Sequence, residues 1–267
     1  MALQPVKEKT FAEQSYLFAK ISEVAYLDEA GSKAAFKKLG FSKCLFLDFD
    51  GSQAYILHNK YDIVIACRGT EPSEFKDIKA DLQIKLVKPS FGKGLVHYGF
   101  KESTDDIWPE LVKLIPGLHK GQTVWCTGHS LGGAMATLIA NRLNEDDAMP
   151  DLEAVFTYGS PMTGNKEFVE GMRVTHHRWV NGADIVPKVP GVRYKHHGQL
   201  HYMNHWGNVR EMTTTQRFKD QMRGFLYGWK TGAVNFFISH SIERYSNNLA
   251  RYADGIERDQ TLFNGVN

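Results

Sequence analysis

Two hydrophobic periods alternate along the chain. In residues 11–26, Tyr16, Phe18, Ala19, Ile21, Val24 and Ala25 recur at helical spacing and the pattern stops before Gly31, which predicts a packing helix. Three short runs rich in β-formers follow, 43–48, 54–58 and 63–68, separated by Asp50-Gly51 and by the turn material of 59–62. The first two predict an antiparallel hairpin. Residues 101–114 return to a helical pattern, with Pro109 either starting the regular helix or kinking it. Beyond residue 122 strands and helices alternate: strand 123–127, helix 134–140, strand 152–158, helix 165–172, strand 174–180. Such alternation requires crossover connections, so the expectation is one α/β domain over 1–267 with a mostly parallel central sheet and helices on both faces. Met222, Phe225, Leu226, Trp229, Ala233, Phe236 and Phe237 then recur at helical spacing. An aromatic stripe of this kind reads first as a core-facing helix, with ligand contact as the alternative.

One strand-to-helix junction carries chemistry. In Gly128-His129-Ser130-Leu131-Gly132-Gly133 the serine sits between glycines two residues to either side. A serine on so sharp a turn takes a strained backbone conformation, and the strand and helix approach too closely for any residue but glycine at the flanking positions. The hydroxyl then projects at the carboxyl edge of a sheet beside a helix amino end, whose free N–H groups favour developing negative charge. Gly-x-Ser-x-Gly fixes only three positions in a chain with 24 glycines, so the motif alone is weak. The β-forming run before it and the alanine- and leucine-rich run after it raise its weight.

Composition narrows the partners. The 267 residues are 42% hydrophobic and 23% charged, enough for a sizeable core. A formal charge of +2, with basic residues scattered along the chain, gives no reason to expect nucleic acid and leaves small neutral or lipid-like partners open. Residues 1–20 hold no apolar core of signal-peptide length, and no uninterrupted apolar run could span a bilayer. Cys44, Cys67 and Cys126 all lie in apolar, strand-like runs, as buried free thiols do. The expected location is therefore reducing and cytoplasmic.

A serine hydroxyl is a poor nucleophile at neutral pH and needs a histidine to take its proton and a carboxylate to orient that histidine. In the α/β-hydrolase arrangement they follow in the order serine, acid, base. Asp184 comes just past a strand, after Val180-Asn181-Gly182-Ala183, whereas Asp151 and Glu153 precede one. Position alone leaves Asp184 open between an acid and an ordinary turn residue. Among eleven histidines, His129 adjoins the serine but points away on a tight turn, and His97 is out of order. His196, His197, His201 and His205 fall in one stretch, but no matching cysteine or carboxylate arrangement makes it a zinc site. His240 follows in the right order and is the preferred base.

With these residues the chain resembles the class 3 lipase family, the fungal-type triacylglycerol lipases and their bacterial and plant relatives. The resemblance runs over about residues 63–245. It rests on Cys67-Arg68-Gly69-Thr70, Val96-His97-Tyr98-Gly99-Phe100, the Ser130 elbow, Thr157-Tyr158-Gly159-Ser160-Pro161, Asp184-Ile185-Val186-Pro187, and His240-Ser241 with Tyr245. It implies an α/β-hydrolase fold, Ser130 as nucleophile, Asp184 as acid and His240 as base. It also implies an oxyanion hole from Thr70, through its N–H and hydroxyl, and the Leu131 N–H, with no metal or organic cofactor. The implied activity is hydrolysis of carboxylic esters, lipid esters above all, through an acyl-serine, with transient contact to a lipid surface. The rivals are a phospholipase A1 or acyltransferase using the same residues, and a lipase-like signalling or scaffold protein. Met162-Thr163 stand where relatives commonly have arginine and valine. The stretch 71–82 occupies the place of the family's lid, with Phe75, Ile78 and Leu82 on one helical face and no tryptophan.

Overall fold

The structure, a computed structural model, describes residues 3–69, 85–182, 184–230 (side chains to 224) and 239–257. Thr70, the lid stretch 71–82 and the end of the aromatic stripe, 231–237, lie outside the described residues.

Helix α1 (Phe11–Val24) starts at a reciprocal cap in which the Thr10 hydroxyl accepts from the Glu13 N–H and the Glu13 carboxylate accepts from the Thr10 N–H at 2.8 Å. Helix α2 (Glu29–Lys38) runs through Gly31, which the sequence reading takes as a stop. Gly31 lies in the first turn, where its N–H bonds the capping Asp28 carboxylate at 2.7 Å. The expected hairpin forms from β1 (Lys43–Phe49) and β2 (Ser52–His58). Its turn residues Asp50 and Gly51 have φ of 51° and 82°, the pair of positive angles that a type I′ turn demands. Then come β3 (Asp62–Cys67), β4 (Leu86–Val87), β5 (Val96–His97) and α3 (Tyr98–Leu118), a helix longer than expected that holds both Pro109 and Pro116. The remaining elements are β6 (Thr123–His129), α4 (Leu131–Glu145), β7 (Leu152–Tyr158), α5 (Lys166–Gly171), β8 (His176–Asn181), β9 (Gln199–Met203), α6 (Thr214–Lys230) and α7 (Ile242–Ala253).

Seven strands form the main sheet in the order β1-β2-β3-β6-β7-β8-β9. The pairings from β3 to β9 are all parallel, while β1 to β3 pair antiparallel. Alternation along the strands sends side chains to two cores. Tyr55, Leu57, Val64, Ala66, Trp125 and Phe156 pack with α1, α2 and α7 on one face. Ile56, Ile63, Ile65, Cys67, Cys126 and Val155 pack with α3 and α4 on the other. Covered on both faces, the central strands are mostly apolar, and β3 is buried throughout, its one carboxylate, Asp62, accepting from Trp125 Nε1 at 2.9 Å. This is the α/β-hydrolase fold expected from the sequence. The carboxyl ends of the parallel strands share one edge, and the loops that leave it carry Ser130 and Asp184.

Candidate active site

The junction from β6 to α4 is strained as its sequence demands. Ser130 has φ 57° and ψ −129°, an uncommon conformation for a residue with a side chain. A Cβ on Gly128 would lie 2.2 Å from the Gly132 carbonyl oxygen, and one on Gly132 would lie 2.3 Å from that of Cys67. Both are backbone contacts that no side-chain rotation relieves. Gly128→Ala is therefore expected to cost about 3 kcal/mol of stability, read as a drop in thermal midpoint; an unchanged midpoint would contradict this packing.

Three side chains from separate loops meet at this turn. The Ser130 hydroxyl lies 2.8 Å from His240 Nε2, and His240 Nδ1 lies 2.9 Å from Asp184 Oδ2. Geometry assigns the proton on Nδ1, donated to the carboxylate, which leaves Nε2 free to accept from the serine. Asp184 is a turn residue whose side chain also reaches the histidine. Its N–H closes a turn on the Asn181 carbonyl at 2.8 Å, while its buried carboxylate faces the histidine. Oδ1 accepts from the Val186 N–H at 2.9 Å, and Oδ2 also accepts from the Tyr245 hydroxyl at 2.7 Å. Gly159, with φ 57°, lets the chain pass beside the pair, since a Cβ there would lie 2.7 Å from Asp184 Oδ2 and 2.9 Å from His240 Nδ1.

A second set of contacts holds the histidine's backbone. His129 Nε2 is 2.6 Å from the His240 carbonyl oxygen, so this nitrogen carries the donated proton, and Nδ1 accepts from the Tyr26 hydroxyl at 2.9 Å. Burial, reinforced by His240, holds His129 well below the usual histidine pKa, so it stays neutral and keeps this tautomer. Asn181 Nδ2 donates to the Ser239 carbonyl at 3.0 Å, fixing the residue before His240. Leu131 is the first residue of α4, so its N–H has no carbonyl within the helix to bond.

The competing candidates are occupied elsewhere. Asp151 and Glu153 are exposed at the amino end of β7, the opposite sheet edge. His97 caps α3, its Nδ1 accepting from the Phe100 N–H at 3.4 Å, and burial pushes it down to about 4. His196 bonds the Pro187 carbonyl at 2.6 Å, His197 faces His176, His201 faces His177 at 3.1 Å, and His205 pairs with Asp220. Among the described residues no group of three or more His, Cys, Asp or Glu could hold a metal ion. Cys67 and Cys126 are free and buried, and burial pushes the Cys67 thiol up to about 12.

A model of the family described as lipase (class 3) matches residues 64–194, from β3 through the loop that carries Asp184. Over that span, just under half of its length, the chain matches the class 3 lipase family. Toxin TseL of Vibrio cholerae is 31% identical over 235 residues, which are 69% of this chain and 36% of the toxin. A lipase of Rhizomucor miehei is 34% identical over 148 residues, 52% of this chain and 39% of that one. The chain thus spans little more than a third of the length of the first curated relatives it matches. Among solved structures, lipase II from Rhizopus niveus aligns with a TM-score of 0.64 at 26% identity over 72% of this chain and 80% of its own. A triacylglycerol lipase whose catalytic centre is described as a serine protease triad aligns with a TM-score of 0.64 at 25% identity, over 72% and 79%.

The sequence supplies Tyr245 only as part of a motif. Its hydroxyl bridges the site, accepting from the Asn181 N–H at 2.9 Å while donating to Asp184. The signal for it is its place in the first turn of α7, five residues past His240. Tyr245→Phe removes one donor to the carboxylate and leaves the Asn181 N–H buried without its acceptor. If the site works as a triad, kcat is expected to fall about ten-fold with KM near its starting value. A fall in KM alone would contradict a role in orienting the histidine.

Proposed function

We propose that the protein is a serine carboxylic-ester hydrolase acting on lipid esters, with Ser130 as nucleophile, His240 as general base and acid, and Asp184 as the orienting acid. The observation that carries this reading is the unbroken hydrogen-bonded line from the Ser130 hydroxyl through His240 to Asp184, on an elbow at the sheet edge, in a class 3 lipase chain. Ser130 Oγ attacks the ester carbonyl carbon as its proton passes to His240 Nε2. Collapse of the tetrahedral adduct breaks the bond to the alcohol oxygen, which takes that proton and leaves an acyl-serine. Water then attacks the acyl carbon, its proton passes to His240, and the departing Ser130 oxygen recovers it. The products are a carboxylic acid and an alcohol. Asp184, buried and bonded by three donors in all, faces the imidazolium and lowers the cost of forming it.

The oxyanion is assigned to the Leu131 N–H and to Thr70, which follows directly on Gly69. That placement is supported by Gly69, where a Cβ would lie 2.6 Å from the His129 carbonyl oxygen, against the elbow itself. Thr70→Ala is expected to lower kcat by about 10²-fold with little change in KM, because the hydroxyl acts once negative charge has developed. An effect confined to KM in steady-state assays would remove Thr70 from this role.

The substrate class is tested with a panel of short aryl esters, triacylglycerols and phospholipids, each incubated with the wild type and with Ser130→Ala. Ester cleavage by the wild type alone, extending to long-chain glycerides, is the expected result. Cleavage confined to phospholipids would establish the phospholipase reading, and no cleavage of any ester would leave the scaffold reading.

A further inference from the structure

Helix α6 is turned inside out. Its inward side is polar. Asp220 is buried, accepting from the Tyr202 hydroxyl at 2.7 Å and from the His205 N–H at 2.9 Å, and Gln221 accepts from Lys188 Nζ at 2.7 Å. Its outward side carries Phe218 and Met222, one helical turn apart, 63% and 43% exposed. Lys219 and Arg223 are exposed beside them. In the sequence the apolar spacing continues at Phe225, Leu226 and Trp229, whose side chains lie outside the described residues. A helix that buries only with water-soluble partners would reverse this arrangement, because large apolar groups left in water forgo the gain of burial.

Charge points the same way. Residues 185–230 hold eight Lys and Arg against two Asp and Glu, a net of +6 in a chain whose total is +2, so the expectation of scattered basic residues does not hold for this segment. One of the two acids, Asp220, is turned inward and paired with His205, which leaves Lys219 and Arg223 as the charges of the helix's outer face. The segment also faces the right way. The Lys188 contact ties α6 to the short turn Val186–Lys188 just past Asp184, and the Asp220 contacts tie it to the carboxyl end of β9. Both belong to the sheet edge that carries Ser130. Val192, in the loop leaving that turn, is 93% exposed.

We propose that the outer face of α6 is a docking surface for an anionic lipid bilayer. Phe218 and Met222 enter the boundary between headgroups and acyl chains, and Lys219 and Arg223 lie against the negative headgroups, the arrangement of an interfacial helix. Docking in this way brings the Ser130 edge to the lipid. The use of such a surface rests on the lipid-ester reading of the site, but its test does not, because binding is measured with Ser130→Ala protein, which leaves the vesicles intact.

That protein is mixed with vesicles of phosphatidylcholine, alone or with phosphatidylglycerol added, and the bound fraction is read by flotation at low and high salt. Partitioning onto the anionic vesicles is expected to be about ten-fold stronger at low salt, and the preference is expected to vanish at high salt. Lys219→Glu with Arg223→Glu should abolish the preference, and Phe218→Ser with Met222→Ser should weaken anionic binding about ten-fold. In the chain that keeps Ser130, both double variants should hydrolyse a dissolved short-chain ester as the wild type does. Equal binding to the two vesicle types, or double variants that bind like the parent, would overturn the proposal. So would a dimeric parent that Phe218→Ser with Met222→Ser makes monomeric, since the face would then cover a second copy. A protein that docks as described but cleaves no ester would overturn the lipid-ester reading and leave the docking surface standing.

Discussion

Ser130→Ala is expected to remove about 10⁶-fold of the ester turnover while leaving the thermal midpoint within a few degrees of the wild type. The size of the loss follows from the arrangement of the site. His240 Nε2 accepts from the Ser130 hydroxyl at 2.8 Å, and without that oxygen the imidazole has no nucleophile to activate. The fold should tolerate the change, because the hydroxyl's partner is a histidine held from its other side by Asp184 and through its carbonyl by His129. Turnover within ten-fold of the wild type in a purified Ser130→Ala preparation would mean that the chemistry lies elsewhere.

Asp184→Asn is expected to give the next largest effect among conservative changes, about 10⁴-fold in kcat, or roughly 5.5 kcal/mol of transition-state stabilisation. The amide keeps the shape of the carboxylate but, with its oxygen accepting from the Val186 N–H, presents an N–H to His240 Nδ1. It therefore favours the tautomer with the proton on Nε2, which cannot accept from Ser130. It also loses the negative charge that stabilises the imidazolium. The Val186 N–H still finds the amide oxygen and should keep the side chain in place, although the Tyr245 hydroxyl loses its acceptor, so the loss appears mainly in kcat rather than in folding. A protein that unfolds on this change would point to Asp184 as a structural turn residue, and the acid would then have to be found by another route.

The parts of this site that the sequence made legible are those built locally or constrained by chain order. The elbow is local: six consecutive residues set its backbone conformation, and the glycines mark where the strand and helix meet. Asp184 and His240 are legible through the order of the fold and their positions after elements. The contacts that steady them are not, because they join residues far apart in the chain. Tyr26 reaches His129 across 103 positions, and Asn181 reaches Ser239 across 58. No spacing rule connects such pairs. The cluster of histidines between 196 and 205 looked like one feature and is several, since alternation along β8 and β9 and the loops beside them give each ring a different partner.

The fold shows the same division. The hairpin, the central strands and α1 follow their hydrophobic periods closely. Strand β9 leaves little trace in the sequence because it is a five-residue edge strand, partly exposed and containing a histidine. Helix α6 starts eight residues before the aromatic stripe that predicted it, and here a signal was present. The Thr213 N–H donates to the Gln216 side chain at 2.8 Å and the Gln216 N–H to the Thr213 hydroxyl at 3.3 Å, a reciprocal cap written plainly in Thr213-Thr214-Thr215-Gln216. The stripe's first residue, Met222, is exposed rather than core-facing, because α6 meets the sheet through Asp220 and Gln221.

The central claim is that Ser130 is a nucleophile activated by His240, and covalent labelling tests it most directly. The wild type would be treated with a fluorophosphonate, digested, and the modified peptide sequenced by mass spectrometry, with His240→Ala run alongside. The account expects one phosphonyl group per chain, on Ser130, formed at least a thousand-fold more slowly in His240→Ala. Labelling on a different residue, or labelling of Ser130 at the same rate without His240, would contradict it.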